Sequence, residues 1–179
     1  MRAVLLPLLL AAALVAPGSP APAQPAVSEA DVKAAFLYNF TKFVDWPQPV
    51  LAEGSELKIC VLGEDPFGRT LQALTQEEVG GHRLKLIHLS SPSNLTACHV
   101  LFISRSEKDR LPRILEALGD APVLTVGDTQ GFVDQGGIIN FLLEGSKVRF
   151  EINQEDAERV GIKISSKLLA LARRVKGRP

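Results

Sequence analysis

Leu57-Lys58-Ile59-Cys60-Val61-Leu62-Gly63-Glu64-Asp65-Pro66-Phe67-Gly68 holds the pattern on which the fold turns. An apolar run this short, rich in β-branched residues and stopped by glycine, reads as a strand buried on both faces. A helix follows from about Pro66 to Gln76. The same order returns downstream. His99 to Ile103 reads as a strand, Glu107 to Leu118 as a helix and Val123 to Val126 as a strand, ahead of a glycine-rich loop from Gly127 to Gly137. Between the two units, Gly80-Gly81 turns the chain into another strand from Arg83 to Leu89. Strands alternating with helices predict an α/β fold: a mostly parallel sheet flanked by helices on both faces.

The flanks extend this plan. Ser28 and Asp31 resemble a capping box, and Val32, Phe36, Phe40 and Phe43 recur at helical spacing, with Leu37 and Val44 widening the stripe. This predicts a first helix that runs to Trp46-Pro47, packs its aromatic stripe into the core and shows Tyr38, Thr41, Lys42 and Asp45 to solvent. At the other end, Ile138 to Leu143 and Val148 to Ile152 are joined by Glu144-Gly145-Ser146 and predict a C-terminal β-hairpin. A last helix is expected from about Asn153, pausing at Gly161 and resuming from Ser165 to Val175. Arg173, Arg174, Lys176 and Arg178 would then complement the negative end of its dipole.

Met1-Arg2, an apolar run from Ala3 to Ala16 interrupted by Pro7, and Ala21-Pro22-Ala23 form the three parts of a secretory signal. The run falls short of the ~20 apolar residues that a bilayer-crossing helix needs. The expected organisation is a signal peptide at 1–23, cleaved after Ala23, and a single exported domain at 24–179. Across the chain 20 Lys and Arg balance 20 Asp and Glu. Nucleic-acid binding calls for a basic excess and is not expected. Export also bears on Cys60 and Cys98. In an oxidising compartment they form a disulfide if their strands are neighbours about 5 Å apart, or they stay as two buried, unpaired apolar residues.

Gly63-Glu64-Asp65-Pro66-Phe67-Gly68-Arg69-Thr70 has the spacing of a phosphate-binding P-loop. Arginine stands where lysine belongs, two carboxylates would face the phosphates, and Pro66 removes an amide, so the segment reads as a strand-to-helix turn. Gly127-Asp128 repeats the strand, glycine, acid order of Gly63 to Asp65. The carboxyl ends of strands form the crevice of an open α/β sheet, which makes Gly63, Asp65, Gly127 and Asp128 the candidate lining of a ligand pocket, with Asn140, Arg149 and Glu151 from the hairpin. Glycine and aspartate are also ordinary turn formers. His82, His88 and His99 lack metal-ligand spacing, and there is neither Cys-x-x-Cys nor Gly-x-Ser-x-Gly. No metal, cofactor or enzymatic activity is expected.

Lys33-Ala34-Ala35-Phe36-Leu37-Tyr38-Asn39-Phe40-Thr41-Lys42-Phe43-Val44-Asp45-Trp46-Pro47 resembles the first helix of the YfiR-like proteins. Further matches follow in the family's order: Ile59 to Gly63 with Asp65 to Gly68, Cys98 to Ser104, Leu124 to Asp128, Gly136 to Phe141, Val148 to Asn153 and Gly161 to Leu169. The resemblance implies a periplasmic regulator that binds the periplasmic sensor region of a membrane-bound diguanylate cyclase and represses it, limiting cyclic-di-GMP signalling and biofilm formation. It implies too an outer-membrane lipoprotein able to sequester the regulator, an α/β fold that is often a homodimer, and activity responsive to redox state. Cys60 and Cys98 match the family's disulfide between the first and third strands. The family's second cysteine pair has no counterpart here, so what carries over is the structural bridge. Helical phase offers Tyr38, Lys42, Lys163 and Lys167 as a partner interface. A periplasmic small-molecule-binding sensory domain is the alternative.

Overall fold

The computed structural model describes residues 27–177. The expected signal peptide, its cleavage after Ala23 and Arg178 lie outside the described residues. In chain order the elements are α1 (Glu29–Phe40), β1 (Val44–Asp45), β2 (Leu57–Leu62), α2 (Arg69–Leu74), β3 (Glu78–Val79), β4 (His82–Leu89), β5 (Val100–Ile103), α3 (Leu111–Leu118), β6 (Leu124–Gly127), β7 (Ile139–Glu144), β8 (Lys147–Asn153), α4 (Gln154–Arg159), β9 (Lys163–Ile164), α5 (Ser166–Leu171) and β10 (Arg174–Lys176). A 3-10 segment at Arg105–Arg110 runs directly into α3.

The main sheet has eight strands in the order β10-β8-β7-β6-β5-β2-β4-β3. Its pairings are parallel except for the β7–β8 hairpin and the short β3–β4 contact. Side-chain alternation splits the core into two layers. Ile59, Val61, Val100, Phe102, Leu124 and Val126 pack with Ala34, Leu37 and Phe40 of α1, Leu71 of α2 and Leu168 of α5. On the other face Cys60, Leu62, Leu101 and Ile103 pack with Leu111, Ile114 and Leu118 of α3. Burial on both sides is why β2, β5 and β6 read as unbroken apolar runs. The aromatic stripe of α1 closes on the hairpin: the Phe40 ring lies 5.2 Å from Phe150 and 5.7 Å from Phe141.

Cys60 in β2 and Cys98, just ahead of β5, are joined by a disulfide, with Cα atoms 5.9 Å apart. The parallel pairing of β2 with β5 sets Cys60 opposite Leu101 and delivers the Cys98 backbone to the same layer.

Both terminal helices differ from expectation. Ser28 does open α1 with a capping box, its side chain accepting the Asp31 amide while the Asp31 carboxylate accepts the Ser28 amide. The Thr70 hydroxyl donates to the same carboxylate at 2.6 Å, and this bond, followed by those from Ser28, holds the Asp31 pKa below its ordinary value. α1 stops at Phe40, however. The Lys42 and Phe43 amides bond to Asn39 and Phe40 in a tightened turn, and Val44–Asp45 leave as β1, antiparallel to β9. Thr41, expected at the surface, is buried.

At the other end the single resumed helix is replaced by α4, β9, α5 and β10. Gly161 adopts φ +77°, where an L side chain would be strained, and β9 then finds a backbone partner in β1. β10 pairs in parallel with β8, Arg174 opposite Glu151. Arg173, Arg174 and Lys176 therefore do not cap a helix dipole. Arg173 donates to Glu144 at 2.6 Å and Arg174 to Glu151 at 2.8 Å. No helix among the described residues is long and apolar enough to cross a membrane.

Candidate functional site

In the sheet β2 has β4 on one side and β5 on the other. The order of addition thus reverses between β2 and β5, the position at which an open α/β sheet leaves a crevice at the carboxyl ends of its strands. A crevice of about 550 Å³ lies there. Glu64, Asp65 and Pro66 after β2, Ser104 to Ser106 and Lys108 after β5, Asp128 after β6, and Glu29 and Lys33 of α1 line it. Two further grooves, of about 360 and 420 Å³, open at the amino-terminal ends of the strands.

Gly63 has φ +87°, and a Cβ there would collide with Ser106 and Glu107. The close approach is used: Ser106 Oγ accepts the Glu64 amide at 3.0 Å, locking the two loops together. Lys33 is only 5% exposed. Its Nζ lies 2.7 Å from Glu29 Oε1 and 3.0 Å from Asp128 Oδ2. Arg105 donates to the Asp128 carbonyl at 3.1 Å. Even so, Asp128 Oδ1 is buried with no hydrogen-bond partner, as is Glu107 Oε2, while Arg110 bonds the other Glu107 oxygen at 2.6 Å. Leaving a buried acceptor unpaired costs roughly 1–3 kcal/mol. The crevice lining itself sets the carboxylates of Glu29, Glu64, Asp65 and Asp128 beside Lys33, Arg105 and Lys108.

Of the residues expected to line a pocket, Asp65 and Asp128 do so, while Gly63 directly follows β2 and Gly127 ends β6. At the edge of the site His88 Nε2 bonds Asp65 Oδ2 at 2.8 Å. The hairpin residues are elsewhere. Ile139 and Phe141 face α1, so alternation turns Asn140 to the opposite face, where its Nδ2 donates to Glu151 Oε1 at 3.1 Å. Arg174 completes that pair, and the bond to Glu151, more than the one to Asp134, raises the arginine's pKa. Arg149 is exposed and sits beside Glu144 at 3.9 Å. Lys33, Arg105 and Ser106 escaped the sequence reading. A signal existed for Lys33, which falls four residues before Leu37 and seven before Phe40, inside the apolar stripe.

The proposed interface residues divide differently. Lys42, Lys163 and Lys167 are exposed, and Tyr38 is half-buried with Lys42 Nζ 4.2 Å from its ring centroid. Lys163 lies in β9 and not on a helix. The β1–β9 pairing joins the segments that carry the three lysines.

His99 directly follows Cys98 and is 8% exposed. Its Nδ1 accepts the Lys58 amide at 2.9 Å, so the proton resides on Nε2, which donates to the Val50 carbonyl at 3.2 Å. Burial, chiefly, pushes its pKa below the ordinary histidine value. This is a satisfied structural histidine.

The model of the YfiR/HmsC-like family matches residues 30–173. Among solved structures, a conserved domain protein from Vibrio cholerae O1 biovar El Tor superposes with a TM-score of 0.56 at 14% identity, over 83% of this chain and 60% of that one. At that identity the likeness shows the fold, and this chain spans less than two thirds of that protein. An ABC domain in complex with L-Trp from Streptococcus pneumoniae gives a TM-score of 0.48 at 13% identity, over 66% of this chain and 54% of that one. The family match runs from the first turn of α1 to the residue before β10, and the chain belongs to the YfiR/HmsC-like family.

Proposed function

We propose that the chain is a periplasmic regulatory protein that binds the periplasmic sensor region of an inner-membrane diguanylate cyclase and represses it, limiting cyclic-di-GMP signalling and biofilm formation. The observation that carries this reading is family membership across nearly the whole described α/β unit. The disulfide supports it, since such bonds persist in oxidising compartments. So does the signal-like sequence at 1–23, whose removal after Ala23 leaves one domain at 24–179. The protein acts by binding and not by catalysis. Tyr38, Lys42, Lys163 and Lys167 are candidate contacts, and an outer-membrane lipoprotein and a second copy of the chain are candidate partners.

Binding is tested by titrating the mature chain into the purified periplasmic sensor region of an inner-membrane diguanylate cyclase from the same genome. Saturable complex formation is expected, and its absence under oxidising conditions would contradict the reading. A ligand-sensing role has one observation in its favour, the crevice at the carboxyl ends of the strands that Asp65 and Asp128 line together. Chemical-shift changes at Asp65 and Asp128 on addition of a small polar ligand would support it.

A further inference from the structure

β10 closes the sheet at the β8 edge with three residues, none of them fully buried. Among the described residues, neither apolar cluster of the core draws a side chain from it. The stretch it covers is buried: Glu151, Ile152 and Asn153 of β8 lie alongside it in parallel register. The Arg173 amide donates to the Phe150 carbonyl at 2.8 Å. Alternate residues turn their backbone groups to the same side, so Ile152 faces β10 as well. The family match ends at residue 173, which leaves this strand beyond the matched segment.

Charge fastens it. Arg174 Nε donates to Glu151 Oε2 at 2.8 Å, and its Nη2 lies 3.3 Å from Asp134 Oδ2. Arg173 donates to Glu144 at 2.6 Å, and Lys176 Nζ to the Val133 carbonyl at 3.3 Å. The central pair is unequal in its access to solvent: the Glu151 side chain is 8% exposed and that of Arg174 48%. Asn140 Nδ2 occupies the other Glu151 oxygen and brings no charge. Among the described residues, Arg174 is thus the one cation within ion-pair distance of this buried carboxylate. While β10 is in place the carboxylate depends on that arginine, and when β10 lifts away water takes over. A segment with so little apolar anchorage opens at lower cost than the core does. We infer that β10 is an electrostatic strap, which shuts the β8 edge through Arg174 on Glu151 and opens as a unit, with the rest of the sheet folded, when that pairing is weakened. Opening makes β8 the edge strand and bares the backbone groups of Phe150 and Ile152.

Residue-resolved hydrogen exchange of the mature chain is the test. The amides of Arg173 to Lys176, together with that of Ile152, are expected to exchange as one group and well before those of Val100 to Ile103 in β5. Raising NaCl from about 20 mM to about 0.5 M should speed this group about threefold or more relative to β5, because the pairs of Arg173 and Arg174 are open enough to be screened. Arg174→Gln strands the Glu151 charge only while the strap is shut, so opening should rise about tenfold or more. Adding Glu151→Gln removes the stranded charge and should reverse part of that rise. Strap amides that exchange no sooner than β5 would overturn the inference, since β10 would then open only with the whole fold. So would an Arg174→Gln strap that opens at the wild-type rate, or a double variant as open as Arg174→Gln alone. Exchange of the wild-type strap that is indifferent to salt would overturn it too, and this arm needs no variant to fold.

Discussion

Lys33 Nζ lies 3.0 Å from Asp128 Oδ2 across 95 residues of chain, tying α1 to the carboxyl end of β6. The lysine and aspartate side chains are 6% and 11% exposed, so removing one charge strands the other in a poorly solvated place. Lys33→Met is expected to destabilise the fold by about 3 kcal/mol, the low end for a broken buried pair because Arg105 remains near Asp128. Adding Asp128→Leu should recover part of that loss. Urea unfolding of the two variants checks this, and a double variant no more stable than the single one would contradict it.

The disulfide closes a loop with a sequence separation of 38. On the chain-entropy argument, a bridge of that span contributes about 4 kcal/mol. The wild-type urea midpoint should therefore fall on addition of reductant, and that of Cys60→Ala with Cys98→Ala should be indifferent to it. Equal midpoints for the oxidised and reduced wild type would show that the bond contributes nothing.

His99 makes stability depend on pH with a definite sign. Its folded pKa lies below the ordinary value near 6.5, so between those two values the unfolded chain binds more protons than the folded one. Stability from this group is complete above about pH 6.5 and is lost as pH falls towards the folded pKa. His99→Gln should lower stability at neutral pH and flatten the acid side of the profile. A variant with the same acid slope as wild type would remove His99 as its source.

Phe132 is fully buried, and a Cβ on either Gly127 or Gly137 would overlap its ring. Gly137→Ala is expected to cost about 1–3 kcal/mol by overpacking. Shortening the ring in Gly137→Ala with Phe132→Leu should return part of it. Thermal unfolding distinguishes this from a backbone effect of glycine, which the second substitution would leave uncorrected.

The strands β2, β5 and β6 were legible because burial on both faces makes them continuous apolar runs; the disulfide was legible only through the family resemblance, because the residues alone left it conditional on β2 and β5 being neighbours, a long-range fact. β1, β9 and β10 were not, since elements of two or three residues carry no period to detect. Phe43 and Val44 continued the helical stripe of α1 by spacing alone, while their backbone was claimed by a partner 120 residues away in sequence. The site divides along the same line. Glycine followed by acid at strand ends marked Asp65 and Asp128, which local sequence can reveal. The burial of Lys33 depends on Asp128, and the pairing of Asn140 with Glu151 on hairpin register, and both are long-range facts.

Cellular cyclic-di-GMP, measured after deleting the gene in a strain whose inner-membrane diguanylate cyclases are intact, bears most directly on the regulatory role. A repressor predicts that the level rises on deletion and returns when the exported chain is restored. An unchanged level, with the cyclase present and active, would contradict repression.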